Sequence, residues 1–241
     1  MIIPENFTTT YDAIVIGPHP DDVEFEMAGT IMKITRSGRK VLSLCLTKGE
    51  MSTHGTMAER EKEFAAACAL LGCDGLQLDL PDTDVQNTRE NRLRIARIIR
   101  KATPAIIFAP HPHNPVADLG GVSNVDHYTT GALVRDAVKM ARLQKTIPDL
   151  PRHEIKKLYL FMLPRSVQPT VLVDVSDIIE DIRNVFRAYT TQMNIRFMGG
   201  KVEPFLMTTR AANGALIGVA YAERFASDMS LVFEAKSFFE V

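Results

Sequence analysis

The chain has 241 residues, 46% of them hydrophobic, enough for one large core and for a single α/β domain over residues 1–241. Its formal net charge is −1 and its 28 basic residues are scattered along helical faces, so nothing resembles the basic footprint that nucleic acids require, and nucleic acid is excluded as a partner. Neither a charged-then-apolar leader nor a run of about 18 apolar residues is present, which predicts a cytoplasmic protein with no membrane partner.

Short β-branched runs alternate with helical spacing along the chain, the pattern of a mostly parallel sheet in a Rossmann-like three-layer sandwich. Tyr11 to Gly17 reads as the first strand, and Val23 to Arg36 as a helix stopped by Ser37-Gly38. Val41 to Leu46 is the second strand. A polar loop leads to a helix from Met57 to Leu71, ended by Gly72, and Leu76 to Leu80 is the third strand. Arg89 to Lys101 reads as a helix and Ala105 to Ala109 as the fourth strand. The Pro-, Gly-, Asn- and His-rich stretch from Pro110 to Asn124 is long for a connection in a compact domain, which marks it as functional. It leads to a helix from Val125 to Leu143. Strands at Lys157–Met162 and Thr170–Val175 follow, then a helix from Ser176 to Thr190 and a helical pattern over Pro204–Glu223 interrupted by Gly214 and Gly218. Cys45, Cys68 and Cys73 are odd in number and lack paired spacing, so they read as buried thiols.

The most informative stretch is His19-Pro20-Asp21-Asp22, directly after the first strand. Open α/β sheets build their sites beyond the carboxyl ends of their strands, where the order reverses. Strands one and four are the natural pair, and they bring His19 and Asp22 opposite His127. Two imidazoles and one carboxylate suit zinc, which in catalytic sites keeps three protein ligands and lowers the pKa of a bound water to about 7. Iron(II) is the alternative ion for the same donors. Asp21 points away from Asp22 and is placed to act as general base. Asp21 to Glu24 also reads as a helix cap with a capping-box glutamate, which explains Asp21 and Glu24 but neither His19 nor the Asp126-His127 pair.

Gly17-Pro18-His19-Pro20-Asp21-Asp22-Val23-Glu24 and Val125-Asp126-His127 resemble the two motifs of the zinc-dependent N-acetylglucosaminyl deacetylases, the family of phosphatidylinositol-glycan and LmbE-like proteins. Leu46-Thr47-Lys48-Gly49-Glu50, Leu80-Pro81-Asp82, Val173 to Asp177 and Tyr221-Ala222-Glu223 are similar to stretches of its bacillithiol-type members. The resemblance implies zinc on His19, Asp22 and His127, Asp21 as base, and hydrolysis of an acetyl group from an N-acetylglucosamine-type conjugate. It also implies a homo-oligomer, a trimer or hexamer. Asp126 would orient its neighbours as a carboxylate behind the metal ligands, or answer the helix dipole.

One departure concerns Asn124, where the family carries a histidine that stabilises the oxyanion or protonates the leaving amine. Asparagine donates a hydrogen bond but supplies no proton. Either Asp21 returns the proton, or His111 or His113 fills the vacancy, or the activity is weak or altered. Asn124, His111 and His54, the last in a loop that overhangs the crevice, are the candidate substrate-binding residues. The alternatives are a zinc amidohydrolase acting on a non-sugar amide and a silent metal- or sugar-binding relative.

Overall fold

The computed structural model describes residues 1–114, 123–193, 195–197 and 200–227; residues 115–122 of the predicted 110–124 connection lie outside them. Strands β1 (Ala13–Gly17), β2 (Val41–Cys45), β3 (Asp74–Gln77), β4 (Ile106–Pro110) and β5 (Lys157–Phe161) form one sheet in the order β3-β2-β1-β4-β5. Every pairing in it is parallel, with Ala13 beside Val41 on one side and Ile106 on the other. The chain steps outward from β1 to β3 and then returns to β4 on the opposite side of β1. The order therefore reverses between strands one and four, where such a sheet opens a crevice.

Helices α1 (Asp22–Arg36), α2 (Met57–Leu71), α3 (Arg89–Ala102), α4 (Val125–Ala141), α5 (Ile179–Ala188) and α6 (Val202–Ala215) accompany the sheet. Both faces of the sheet are covered, which is why its central strands β1 and β4 are unbroken apolar runs. In β1, Ala13 and Val15 belong to one core cluster with Met27, Ile31, Phe64 and Phe186, whereas Ile14 and Ile16 belong to another with Ile95, Ile99, Leu133 and Val134. Thus α1, α2 and α5 form one outer layer, and α3 and α4 the other. Gly131 allows α4 to come close to the end of β4, because a Cβ there would lie 2.2 Å from the Pro110 carbonyl oxygen. His127 sits one turn before that contact, so the close approach sets its position.

Outside the main sheet, β6 (Val171–Asp174) pairs antiparallel with β9 (Ala222–Phe225), and β7 (Arg196–Phe197) pairs with β8 (Gly200–Lys201). The helical pattern over 204–223 therefore divides: α6 stops at Ala215, Gly218 turns the chain at φ 75°, and the remainder is strand. The third strand lies earlier than Leu76–Leu80. Leu78 and Leu80 are buried and donate to the carbonyls of Cys45 and Leu46, but the parallel ladder itself ends at Gln77. The predicted helix at Ser176 opens with a single 3-10 turn, Ser176–Ile178.

α1 bends at Met27 (φ −143°, ψ 26°), which frees backbone groups on both sides of the bend. Glu223 of β9 accepts the N–H groups of Gly29 and Thr30 at 3.0 and 2.7 Å, and Arg210 of α6 donates to the Phe25 carbonyl at 2.8 Å. The two side chains pair at 2.8 Å, and both are almost fully buried. Arg210→Leu strands the carboxylate in the core and is expected to cost about 3 kcal/mol, read as a lower urea midpoint at unchanged slope. A loss below about 1 kcal/mol would show that the pair does not hold the bend.

Candidate active site

Each group of the site leaves the carboxyl end of a strand. After β1 the chain turns through His19 and Pro20 into α1, whose N-cap is Asp21. Asp21 has φ 108°, a conformation that L-residues rarely adopt and that persists where the surroundings enforce it. Its N–H is held by Glu24 Oε2 at 3.2 Å. Asp21 and Glu24 thus form a capping box, and Asp21 also lines a cleft.

His19 Nδ1 lies 2.9 Å from Asp22 Oδ2, and His127 Nε2 lies 3.2 Å from Asp22 Oδ1. The ligand atoms of His19, Asp22 and His127 fall within 4.8 Å of one another. Burial is the largest single influence and pulls both imidazole pKa values down, but the Asp22 charge together with hydrogen bonds to the surrounding carboxylates raises them, His19 well above its ordinary value. Burial also disfavours the Asp22 carboxylate, and the two histidines reverse this and hold its pKa low. The place attracts positive charge, and two nitrogens with one carboxylate fit a borderline divalent ion such as zinc.

On its other side His19 Nε2 faces Asp82 Oδ1 at 3.1 Å and Asp126 Oδ2 at 3.2 Å. Asp126 is fully buried and accepts the N–H groups of Thr83 and Val85 at 2.7 and 3.0 Å. These bonds fix its carboxylate, which in turn directs Nε2–H of His19 and leaves Nδ1 for the Asp22 side, an arrangement common behind metal-binding histidines. His19, Asp82 and Asp126 form a second group of donors within the same spacing. That group offers little room for a water, since Asp126 is buried with both oxygens engaged and Asp82 also accepts the Met51 N–H.

Arg60 of α2 donates to the Pro20 carbonyl, and its Nη2 is 3.4 Å from Asp21 Oδ2. Burial lifts the Asp21 pKa to about 7, against the pull of Arg60 and with the help of Asp22. Arg60 therefore anchors the strained turn and faces the carboxylate that turn presents. Three residues on, Glu63 accepts from Thr190 Oγ1 and from the Thr191 N–H and Oγ1, tying the same helix to the end of α5.

Two clefts meet at this centre. His19, Asp21, Ser52, Thr53, Asp82, Asn124 and Gln192 line a polar one of about 240 Å³. Asp22 and His127 border another of about 200 Å³, walled by Phe25, Met162, Val202, Phe205 and Leu206. Asn124 is the N-cap of α4, with Oδ1 accepting the Asp126 N–H at 3.0 Å, and it lines the polar cleft. His54 and His111 line neither cleft. The His54 residue is exposed; its carbonyl accepts from Gln192 Nε2 and Ser52 Oγ, each at 2.9 Å, and its N–H meets the same hydroxyl at 3.4 Å. His111 folds onto its own loop, its Nδ1 accepting the His113 N–H at 3.1 Å. His153 is half-buried, with Nε2 bonded to the Pro104 carbonyl at 2.7 Å. Arg60, Thr83 and Gln192 carry no motif signal, and Asp82 is marked in the sequence only by Leu80-Pro81-Asp82.

Comparison with known proteins gives concordant matches. The PIG-L family model, GlcNAc-PI de-N-acetylase, matches residues 14–138. A diacetylchitobiose deacetylase from Thermococcus kodakarensis is 32% identical over 234 residues, covering 92% of this chain and 84% of that protein. A probable N-acetyl-alpha-D-glucosaminyl L-malate deacetylase 2 from Bacillus anthracis is 28% identical over 152 residues, covering 58% of this chain and 62% of that one. Among solved structures, N,N'-diacetylchitobiose deacetylase from Pyrococcus horikoshii superimposes with a TM-score of 0.80 at 30% identity, over 92% of this chain and 84% of that one.

Asp126→Asn removes the charge that directs His19 and is expected to weaken zinc binding by about 10- to 100-fold in chelator competition, with the helical circular dichroism retained. Unchanged zinc affinity would show that Asp126 does not position His19.

Proposed function

The chain belongs to the PIG-L, GlcNAc-PI de-N-acetylase, family and is an N-deacetylase, and from that premise we propose that it hydrolyses the acetamide of an N-acetylglucosamine conjugate using a divalent ion, zinc, held by His19, Asp22 and His127. The observation that carries this reading is the meeting of that donor set with the Asp21 carboxylate on the wall of a polar cleft. Ser52, Thr53, Asp82 and Gln192 supply the mixed donors and acceptors that sugar hydroxyls need. The deacetylase relatives act, by name, on diacetylchitobiose and on N-acetylglucosaminyl malate, and both names point to the same class of sugar.

A divalent ion in this place supplies a Lewis acid for the carbonyl and makes water more acidic. The residues do the rest. Asp21, gripped at its turn by Arg60, takes a proton from the attacking water as its oxygen adds to the acetyl carbon. The C–N bond then breaks, acetate leaves, and the same proton goes from Asp21 to the departing amine nitrogen. Asn124 keeps its amide oxygen on the Asp126 N–H, which turns its NH2 to the ligand as a donor for the oxyanion or a sugar hydroxyl. His111, bound within its own loop, is not needed as the acid in this scheme. Asp126 acts only through His19 and is a positioning residue.

Release of free amine from diacetylchitobiose and from other N-acetylglucosamine conjugates tests the reading. Asp21→Asn is expected to lower kcat by about 10²- to 10⁴-fold while zinc stays bound. Full turnover by Asp21→Asn, or no release from any conjugate by zinc-loaded wild type, would overturn it.

A further inference from the structure

The apolar cleft has no task in removing an acetyl group. A methyl group displaces about one water, roughly 30 Å³, whereas the cleft holds about 200 Å³. Yet it opens on two of the three candidate metal ligands, Asp22 and His127, while His19 and Asp21 line the polar cleft.

The scissile amide decides what lies on each side. Its nitrogen carries the sugar and its carbonyl carbon carries the acyl substituent, so a substrate centred on the donor set projects the two in different directions. Sugar hydroxyls belong with Ser52, Thr53, Asp82 and Gln192. The acyl substituent is then directed to Phe25, Met162, Val202, Phe205 and Leu206, where burial of methylenes is favourable. On that wall Arg210 pairs with Glu223 and Asn213 Nδ2 donates to the Ala222 carbonyl at 3.3 Å, while Glu26 and Arg224 also border the cleft. One acceptor is left over. Asn114 is 6% exposed and donates Nδ2 to the Met162 carbonyl at 2.9 Å, but its Oδ1 is buried without a partner among the described residues. Such an orphan is costly unless a ligand donor meets it.

We propose that this cleft is an acyl subsite and that the enzyme removes straight N-acyl groups of about four to six carbons from amino sugars, a length set by roughly 30 Å³ per carbon group. The inference rests on the deacetylase reading above and names its acyl range. The chemistry balances as simple hydrolysis: the C–N bond breaks, the water oxygen joins the acyl carbon as the carboxylic acid, and the nitrogen gains hydrogen as the free amine.

The test measures free amine from N-acetyl-, N-butanoyl- and N-hexanoylglucosamine with the zinc-loaded chain. Each buried methylene is worth about fourfold, so kcat/KM for the hexanoyl substrate is expected to exceed that for acetyl by about tenfold or more. Leu206→Trp and Val202→Phe fill the cleft and are expected to cut the hexanoyl-to-acetyl ratio by about tenfold. That ratio is independent of how much of each variant folds. Acetyl cleavage with no hexanoyl cleavage, or a ratio that neither variant moves, overturns the acyl subsite and leaves the deacetylase reading intact. No amine from any of the three substrates, nor from diacetylchitobiose, overturns both.

Discussion

The constraint on which the site depends is the crowding of carboxylates around one imidazole. Asp22, Asp82 and Asp126 all place an oxygen within 3.2 Å of His19. Asp21 precedes Asp22 in sequence and faces Arg60. Like charges this close in a partly dry setting repel strongly and are tolerated only with positive charge among them. Protonated histidines provide it in part, and a divalent ion does so more fully. Each further feature of the site answers this electrostatic demand. Thr83 and Val85 point N–H groups at Asp126, Met51 points one at Asp82, and Arg60 stands beside Asp21.

The fold meets the demand by fixing the two helices that carry the donors. α1 starts at the Asp21 cap and would swing about its bend at Met27 without the Arg210–Glu223 pair that fastens both sides. α4 is brought to β4 by Gly131, and this sets His127 against Asp22. The buried pair is 13 residues apart in sequence and contacts α1 nearly 200 residues upstream. The helix that begins at the His19–Asp22 turn is thereby held by Arg210 and Glu223, far along the chain.

Much of this was legible in the residues. Strand-ending Gly17 followed by His19, Asp21 and Asp22, and the pairing of strands one and four, follow from apolar runs and the rule of the order reversal. α2 could be read to the residue because Thr56, Glu59 and Gly72 are strong local signals. What escaped depends on tertiary placement. Leu78 and Leu80 look like strand because they are buried, although the ladder has ended by Gln77. Residues 222–225 share the apolar pattern of the helix before them, and only pairing with β6 makes them strand. Arg60 reads as an ordinary helix-surface charge until the fold turns it inward beneath Pro20. His54 and His111 drew attention as histidines in polar loops, but a loop residue's direction is not encoded in its spacing, and both rings lie outside the clefts.

The most direct test is where zinc sits. Crystals of the chain soaked in zinc and measured at its absorption edge should show one anomalous peak about 2.0–2.2 Å from His19 Nδ1, an Asp22 oxygen and His127 Nε2. That result would establish the donor set and leave Asp126 behind His19. A peak instead at His19 Nε2, between Asp82 and Asp126, would contradict the account, because the metal would then occupy the side here assigned to orienting the ring.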